Sequence, residues 1–490
     1  MQPIYRTTDI RRVEQAVIAA NPGISLMERA GLAAAEKARD MLGDGFRVLV
    51  VCGPGNNGGD GLVVARYLHQ WGYQTTTVLL ADAGKLPSDA ATAYQQFVNA
   101  GRTTLADIPK ESSWDLIIDG LLGIGLTRPI EGKLADTIEW INTSCSRVLA
   151  LDIPSGLDSD TGNIFGVAIK ATDTISFIGL KPGLLTADGK DHAGQVSIAS
   201  LNIGQHQLLK PSGLLLEQAA VTTYLPRRKL NSHKGSFGSL GIIGGAEGML
   251  GAAVLAGRAA IKLGAGRVYV GTLAKPASGY DPIQPELMYR DAEVLFTNDY
   301  LTALATGPGM GRSDAAEKSL IRAIESALPL LLDADALNLI AASKTLQDKL
   351  RARSHPTLLT PHPTEAARLL NCDTATIQKD RVNAALKLAK EFHAAVALKG
   401  AGSICALPNG DWFINPTGNP GMASAGTGDV LSGIIGALLA QALEASQALL
   451  LGVYLHGAAA DALLARGIGP IGMTASEIID EARRLSNTWN

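Results

Sequence analysis

Cysteine is scarce in this chain. The four cysteines among 490 residues, Cys52, Cys145, Cys372 and Cys405, lie far apart and form no CxxC, which excludes a zinc ribbon or a disulfide framework and fits a reducing compartment. Charge is scarce too: charged residues make up 18% of the chain, below the usual ~25%. With 43 Lys and Arg against 46 Asp and Glu the net charge is -3, so no global field draws in nucleic acid or an anionic membrane, and any anionic ligand has to be held locally. No apolar run reaches the roughly 20 residues of a bilayer span. The longest, 430–440, is soon followed by Gln441 and Glu444 and reads as a buried helix. The opening MQPIYRTTDIRRVEQ carries charges where a signal peptide needs an apolar core. A soluble, cytoplasmic protein with neither a membrane nor a nucleic-acid partner is expected. The P-loop pattern, HExxH and GxSxG are all missing, which leaves P-loop nucleotide sites, metalloproteases and α/β-hydrolases without support.

What the chain has is glycine, 54 residues, and a hydrophobic fraction of 46%, enough to exclude disorder. Its length favours two or three domains. In the first half, apolar runs at 47–52, 75–80, 115–119, 148–153 and 172–178 are short, rich in Val and Ile, and bounded by Gly, Pro or Asp. They read as buried parallel strands alternating with helices such as 61–71 and 134–142, hence a doubly wound α/β domain with ligand loops at the strand carboxyl ends. Periodicity is lost over 204–225, which places a domain boundary near residues 215 and 216. A second βα series follows, with strands at 239–243, 267–270, 304–306, 330–333, 357–359 and 395–398. The runs 403–407 and 411–414, joined through Pro-Asn-Gly, predict a hairpin, and long helices at 429–443 and 445–464 close the domain.

Three loops carry chemistry in the first domain. The strand 47–52 runs into GPGNNGGDG, where Gly53, Gly55 and Gly58 satisfy GxGxxG and a helix follows. Glycines let a phosphate approach the backbone and the helix end supplies free N–H groups, while Asn56, Asn57 and Asp60 offer oxygens to ribose or a cation. In DGLLGIGLTRP at 119–129, Arg128 is suited to grip a phosphate. In LDIPSGLD at 151–158, Asp152 ends a buried strand, where a half-desolvated carboxylate suits general-base work. The bland readings are a glycine turn capped by Asp60 and an ordinary turn Asp at 152.

In the second domain, AGTGDVLSG at 425–433 opens the long apolar helix. Its N–H groups form an anion hole with Asp429 beside it, an arrangement for phosphoryl transfer with Asp429 as base; the alternative is a plain Asp cap. LKGAGS at 398–403 adds a lysine on a glycine turn, and GPGMG at 307–311, LDADAL at 332–337 and TPHPTE at 360–365 again follow strands, the last offering His362 and Glu365.

Taken together these motifs resemble a known family. NNGGDG, DGLLGIGLTRPI and LDIPSGLDSDTG look like the NAD(P)HX epimerase domain; HKGSFG at 233–238, TPHPTE, LKGAG and AGTGDVLSG look like the ADP-dependent NAD(P)HX dehydratase, which is ribokinase-like. The resemblance covers nearly the whole chain and implies an epimerase domain over 1–215 and a dehydratase domain over 216–490. It implies repair of NADH or NADPH hydrated across the nicotinamide 5,6 double bond: the first domain interconverts the R and S hydrates, and the second dehydrates the S form, converting ADP to AMP and phosphate. By motif, Asn56, Asn57, Gly58, Gly59 and Asp60 bind the hydrate, together with Gly123, Ile124, Gly125, Leu126, Thr127, Arg128 and Pro129. Asn57, Asp119 and Ser155 resemble a potassium site. Asp152 contacts the reacting ring as acid or base, and Lys181 is a second candidate for that place. In the dehydratase, Ala253, Gly309 and His362 hold the hydrate. Lys399, Gly400, Ala401, Gly402, Ser403 and Gly428 hold the adenine nucleotide, with Mg²⁺, and Asp429 takes the substrate's proton. A homo-oligomer is also implied. Three other readings stay open: an NAD dehydrogenase with Asp82 on the ribose, a sugar or vitamin kinase in the second half, and a noncatalytic binding role for the first domain.

Overall fold

Apolar runs too short for a helix, with β-branched residues inside and glycine after them, are stable only as strands covered on both faces. The computed structural model of the chain describes every residue except 110–112, 205–208, 276–278, 298 and 490; of the aperiodic stretch read at 204–225, residues 205–208 lie outside the described residues. The chain divides into two compact units, Gln2–Gly213 and Leu214–Asn490, the latter with Met1.

In the first unit the strands Arg47–Cys52, Gln74–Leu79, Leu116–Gly120, Arg147–Leu151, Asp173–Phe177 and Gln195–Ala199 form one parallel sheet. Counted along the chain, their spatial order is 2-1-3-4-5-6. Alternation along Arg47–Cys52 shows why the sheet is covered twice. Val48, Val50 and Cys52 face a core with the helices Leu26–Leu42 and Asn56–Gln70, whereas Leu49 and Val51 face Ile138 and Ile141 of the helix Lys133–Thr143. The direction of winding reverses between Arg47–Cys52 and Leu116–Gly120, so a crevice opens at their carboxyl ends. NAD dehydrogenases use the order 3-2-1-4-5-6. Here Asp82, the ribose carboxylate of that alternative, instead caps the turn Ala83–Lys85 by accepting from the Gly84 N–H at 3.0 Å. Sequence periodicity did not bring out the strand Gln195–Ala199 or the helices Thr7–Ala20 and Leu26–Leu42, though Ile10, Val13 and Val17 bury one stripe of the first helix.

In the second unit the strand order is Gly213–Leu215, Trp412–Ile414, Ile404–Ala406, Ala395–Leu398, Thr357–Leu359, Leu330–Leu332, Ala303–Thr306, Ser239–Gly244, Arg267–Thr272 and Met288–Asp291. All neighbours are parallel except around the expected hairpin, where Ile404–Ala406 is antiparallel to both Ala395–Leu398 and Trp412–Ile414. The helices Thr427–Ala440 and Ala445–Ala465 pack into its core. The second is long and apolar enough to cross a membrane, but Leu449, Leu451, Leu455 and Ala459 are fully buried inside the domain.

Gly53 shows how tightly the crevice is built. A β-carbon there would stand 1.8 Å from the Leu121 carbonyl oxygen and 2.6 Å from its carbon, neither of which is a side-chain end that can swing away. Gly53→Ala should therefore destabilise the first unit by about 1–3 kcal/mol through overpacking, read as a lower thermal midpoint; an unchanged midpoint would contradict this packing.

Candidate active sites

In the first unit a cleft of about 780 Å³ lies over the crevice, lined by Asn56, Asn57 and Asp60, by residues 121–128, and by Asp152. Gly123, Ile124, Gly125, Leu126, Thr127 and Arg128 all line it, but Pro129 does not. Gly58 and Gly59 face packing instead: a β-carbon would meet the Gly53 oxygen at 2.1 Å and the Met27 side chain at 2.6 Å respectively. They let the loop and helix close up, and Asn56, Asn57 and Asp60 are thereby turned to the cavity. The helix starts after Gly55, so Asp60 is a fifth-position residue and not its cap.

Asp119, Asn57 and Ser155 are brought together. Ser155 donates to Asp119 twice, from N to Oδ2 at 2.8 Å and from Oγ to Oδ1 at 2.6 Å, and the Leu121 N–H reaches Oδ1 at 3.2 Å. Asn57 Nδ2 donates to the Leu122 carbonyl at 3.0 Å, which leaves its Oδ1 outside that bond. Asp119 is fully buried with no basic side chain among its partners. Burial pushes its carboxyl up to about 6, although the Ser155 and Leu121 donors pull the other way. Carboxylate, amide, hydroxyl and carbonyl oxygens suit a hard monovalent cation, and a cation would supply the charge this carboxylate lacks.

Asp152, just after the neighbouring strand, is in a left-handed conformation, φ 64°, unusual for a non-glycine residue and held by the Phe177 N–H, which donates to its Oδ1 at 2.9 Å. Lys181, fully buried, donates from Nζ to Asp152 Oδ1, to Ser176 Oγ at 3.0 Å and to the Phe177 carbonyl at 2.8 Å. The two candidates for the reacting ring are thus one ion pair. Sequence reasoning missed Arg11 and Glu14, which enter the same cleft from the helix Thr7–Ala20; the signal was a charged residue next to the apolar stripe of Ile10, Val13 and Val17.

In the second unit the chemistry collects where the central strands end. Gly426, φ 89°, turns the chain into the helix Thr427–Ala440, and Asp429 is that helix's third residue, not its cap. Burial, with repulsion from Asp333, pushes Asp429 up to about 6 against the pull of Lys399. Lys399 Nζ lies 2.7 Å from Asp333 Oδ1 and 4.0 Å from Glu365 Oε2, and Ser432 Oγ donates to Asp333 Oδ2 at 2.7 Å. Burial alone would lower the Lys399 amine; Asp333, Glu365 and Asp429 outweigh it and hold it above its ordinary value. A β-carbon on Gly428 would lie 3.5 Å from Lys399 Nζ, so the anion hole and the lysine share one spot.

His362 is exposed and caps its own helix, Nδ1 accepting from the Thr364 N–H at 3.1 Å, while Glu365 accepts from the His362 N–H at 2.8 Å. Gly400, φ 138°, lies against the Arg381 guanidinium, and Ser403 Oγ donates to the Gly400 carbonyl at 3.0 Å. Ala401 and Gly402 complete that turn. Gly309 is zipped to the loop before the helix Leu250–Lys262 through the Ala246 N–H, which donates to its carbonyl at 2.7 Å. Ala253 is wholly buried against Gly245 and has no open face. Asp333 and Ser432, which tie the lysine to the helix, lie within the motifs LDADAL and AGTGDVLSG, but the motifs gave neither residue a role. His456 was missed as well; it lies buried, and burial first, then the Lys399 charge, pushes it down to about 4, so it is neutral.

A doubly wound domain with a cleft at its switch point, and a second domain whose helix N-terminus, lysine and aspartate surround one anion position, define a two-site enzyme acting on phosphorylated small molecules. Residues 240–484 match the family NAD(P)H-hydrate dehydratase, and residues 23–183 match the family described as YjeF-related protein N-terminus. The bifunctional NAD(P)H-hydrate repair enzyme Nnr of Escherichia coli K12 is 40% identical over 99% of this chain and 94% of its own length. That of Moorella thermoacetica is 39% identical over 94% and 91%. Among solved structures, the ADP/ATP-dependent NAD(P)H-hydrate dehydratase of Bacillus subtilis, co-crystallised with ATP and Mg²⁺, is 30% identical with a TM-score of 0.51, over 57% of this chain and 99% of its own. A ribokinase-like superfamily protein of Enterococcus faecalis, 24% identical with a TM-score of 0.50 over 57% and 96%, shares the fold. The chain belongs to the bifunctional NAD(P)H-hydrate repair enzymes.

Removing one partner of a buried, hydrogen-bonded ion pair leaves the other charge uncompensated. Asp333→Ala should cost about 3–5 kcal/mol of stability in the second unit, measured by denaturant titration; a loss below about 1 kcal/mol would mean that Asp333 is not holding Lys399 and Ser432 as described.

Proposed function

We propose that the first unit interconverts the R and S hydrates of NADH and NADPH and that the second dehydrates the S form at the expense of ADP. The observation that carries the second half is the convergence of Asp429, Lys399 and the helix end at Gly428. The hydroxyl of the hydrate is a poor leaving group until it is phosphorylated. Asp429 takes the proton of the C6 hydroxyl, the freed oxygen attacks the β-phosphoryl of ADP, and AMP departs. The N–H groups after Gly426 and the Lys399 ammonium face the transferring charge. The ring nitrogen's lone pair then expels phosphate, and loss of a C5 proton restores the 5,6 double bond. Magnesium, named for the Bacillus structure, would enter with the nucleotide and spread its phosphate charge. Lys399 to Ser403 form the turn under that nucleotide, with His362 and the loop at Gly309 beside the hydrate.

In the first unit Asn57, Asp119 and Ser155 would hold potassium. The ion supplies a fixed positive charge on the cleft wall, near the loop that carries Arg128. Asp152, clamped by Lys181 and the Phe177 N–H, accepts and returns the proton of the reacting hydroxyl. No nucleotide is consumed there.

Asp429→Asn keeps the shape and removes the base. Regeneration of NADH from S hydrate and ADP should fall about 10²- to 10⁴-fold with nucleotide affinity retained; near-normal turnover would reject the role. The base works ionised and is held near about 6, so the wild-type rate should rise about tenfold per pH unit below that value and level off above it; a profile flat from roughly pH 5 to 8 would contradict it. For the first unit, exchanging potassium for sodium should slow epimer exchange in the wild type and leave Asp119→Ala indifferent. Equal wild-type rates in the two buffers would count against a potassium site.

A further inference from the structure

The first cleft holds a carboxyl that binding does not explain. Asp60 lines the cavity alongside Asp152, is 9% exposed, and among the described residues its side chain makes no hydrogen bond and no ion pair. An ionised carboxylate there would lack any donor and would face the phosphates of an anionic ligand. Asp152 differs: both of its neighbours at Oδ1, Lys181 and the Phe177 N–H, are donors. Two carboxyls share one cleft, one clamped by donors and one with none, as an acid and a base would be.

We propose that Asp60 is the proton donor of the epimerisation, protonating the ring nitrogen N1 while Asp152 takes the proton of the C6 hydroxyl. The proposal rests on the reading of this cleft as the epimerase site. In the opening step the hydroxyl proton passes to Asp152 and the oxygen's electron pair closes the C6=O bond. The C6–N1 bond breaks, and its electron pair receives the Asp60 proton. The aldehyde makes a half-turn about C5–C6. In closure N1 attacks the other face, its proton returns to Asp60, and Asp152 gives its proton back to the oxygen. Nothing is consumed and both groups end as they began.

Burial first, and then the charges of Asp152, Glu14 and Asp89, hold the Asp60 carboxyl well above the usual carboxylate range, which favours its donor form. Glu14 is a weaker choice. Burial and the Asp152 charge raise it as well, but it is only half-buried, and Lys181 and Arg11 oppose that rise, whereas no cation among the described residues opposes it at Asp60. The Cys52 thiol behind Asp60 is kept protonated by its burial and does not compete as a titrating group.

The test follows R-to-S exchange of purified R hydrate without ADP, by chromatography, with the spontaneous rate subtracted. Asp60→Asn should lower kcat about 10²- to 10⁴-fold with KM changed no more than a few-fold, which reports that the first unit is folded, and should leave ADP-dependent dehydration of S hydrate intact. The wild-type profile should fall at high pH as Asp60 loses its proton, and Asp60→Asn should lack that limb. Asp60→Glu, which restores the acid, should recover part of the rate. Wild-type exchange in Asp60→Asn, a loss carried wholly by KM, or a wild-type profile with no fall at high pH would each overturn the proposal. If Asp60→Asn exchanged normally while Asp152→Ala did not, the donor role alone would be lost; absence of exchange by the wild type would remove the reading of the cleft itself.

Discussion

A carboxylate driven into the dry end of a parallel strand has to find a cation, a proton or a ring of N–H groups. Both sites are arranged around that necessity. Asp152 finds the buried ammonium of Lys181; Asp333 finds Lys399 and the Ser432 hydroxyl. Asp119 has donors but no basic side chain, and Asp60 has neither. The first two are compensated in place; the other two are not, and we propose a cation for Asp119 and a proton for Asp60. The same reasoning accounts for Asp429, which sits beside Lys399 yet is raised to about 6 by burial and by Asp333, the property that the proposed base requires.

Glycine makes these placements possible. Gly53 lets the exit of the first strand pass against Leu121, and Gly426 turns the chain into the helix at whose first turn Asp429 sits. The parallel strands then bring Asp119, Asp152, Asp333 and Lys399 to their carboxyl ends. The two sites differ in their charge: a helix end and a lysine are positive in the second unit, whereas Asp119, Asn57 and Ser155 present oxygens in the first.

Much of this was legible in the sequence because buried parallel strands announce themselves as short apolar runs. The strand Arg47–Cys52, the hairpin after Ala395–Leu398 and the buried helix through 430–440 stand as the pattern predicts. The half-exposed strand Gln195–Ala199 lacks that pattern, its side chains being polar or only partly buried. Motifs located the loops but not the direction in which side chains point. Gly58 and Gly59 serve packing, Ala253 is sealed in the core, and Asp333, Ser432 and Glu14 join the sites by contacts between segments distant in sequence. No local spacing encodes such a contact.

The central claim is that one chain carries two separate activities, the first feeding the second. Purified R hydrate with ADP, followed by the absorbance of regenerated NADH, tests it directly. Intact protein should convert the substrate completely, Asp152→Ala protein should proceed only at the spontaneous epimerisation rate, and adding Asp429→Asn protein to it should restore full conversion, since the S hydrate diffuses between molecules. Consumption of R hydrate by Asp152→Ala as fast as by the wild type would contradict the account.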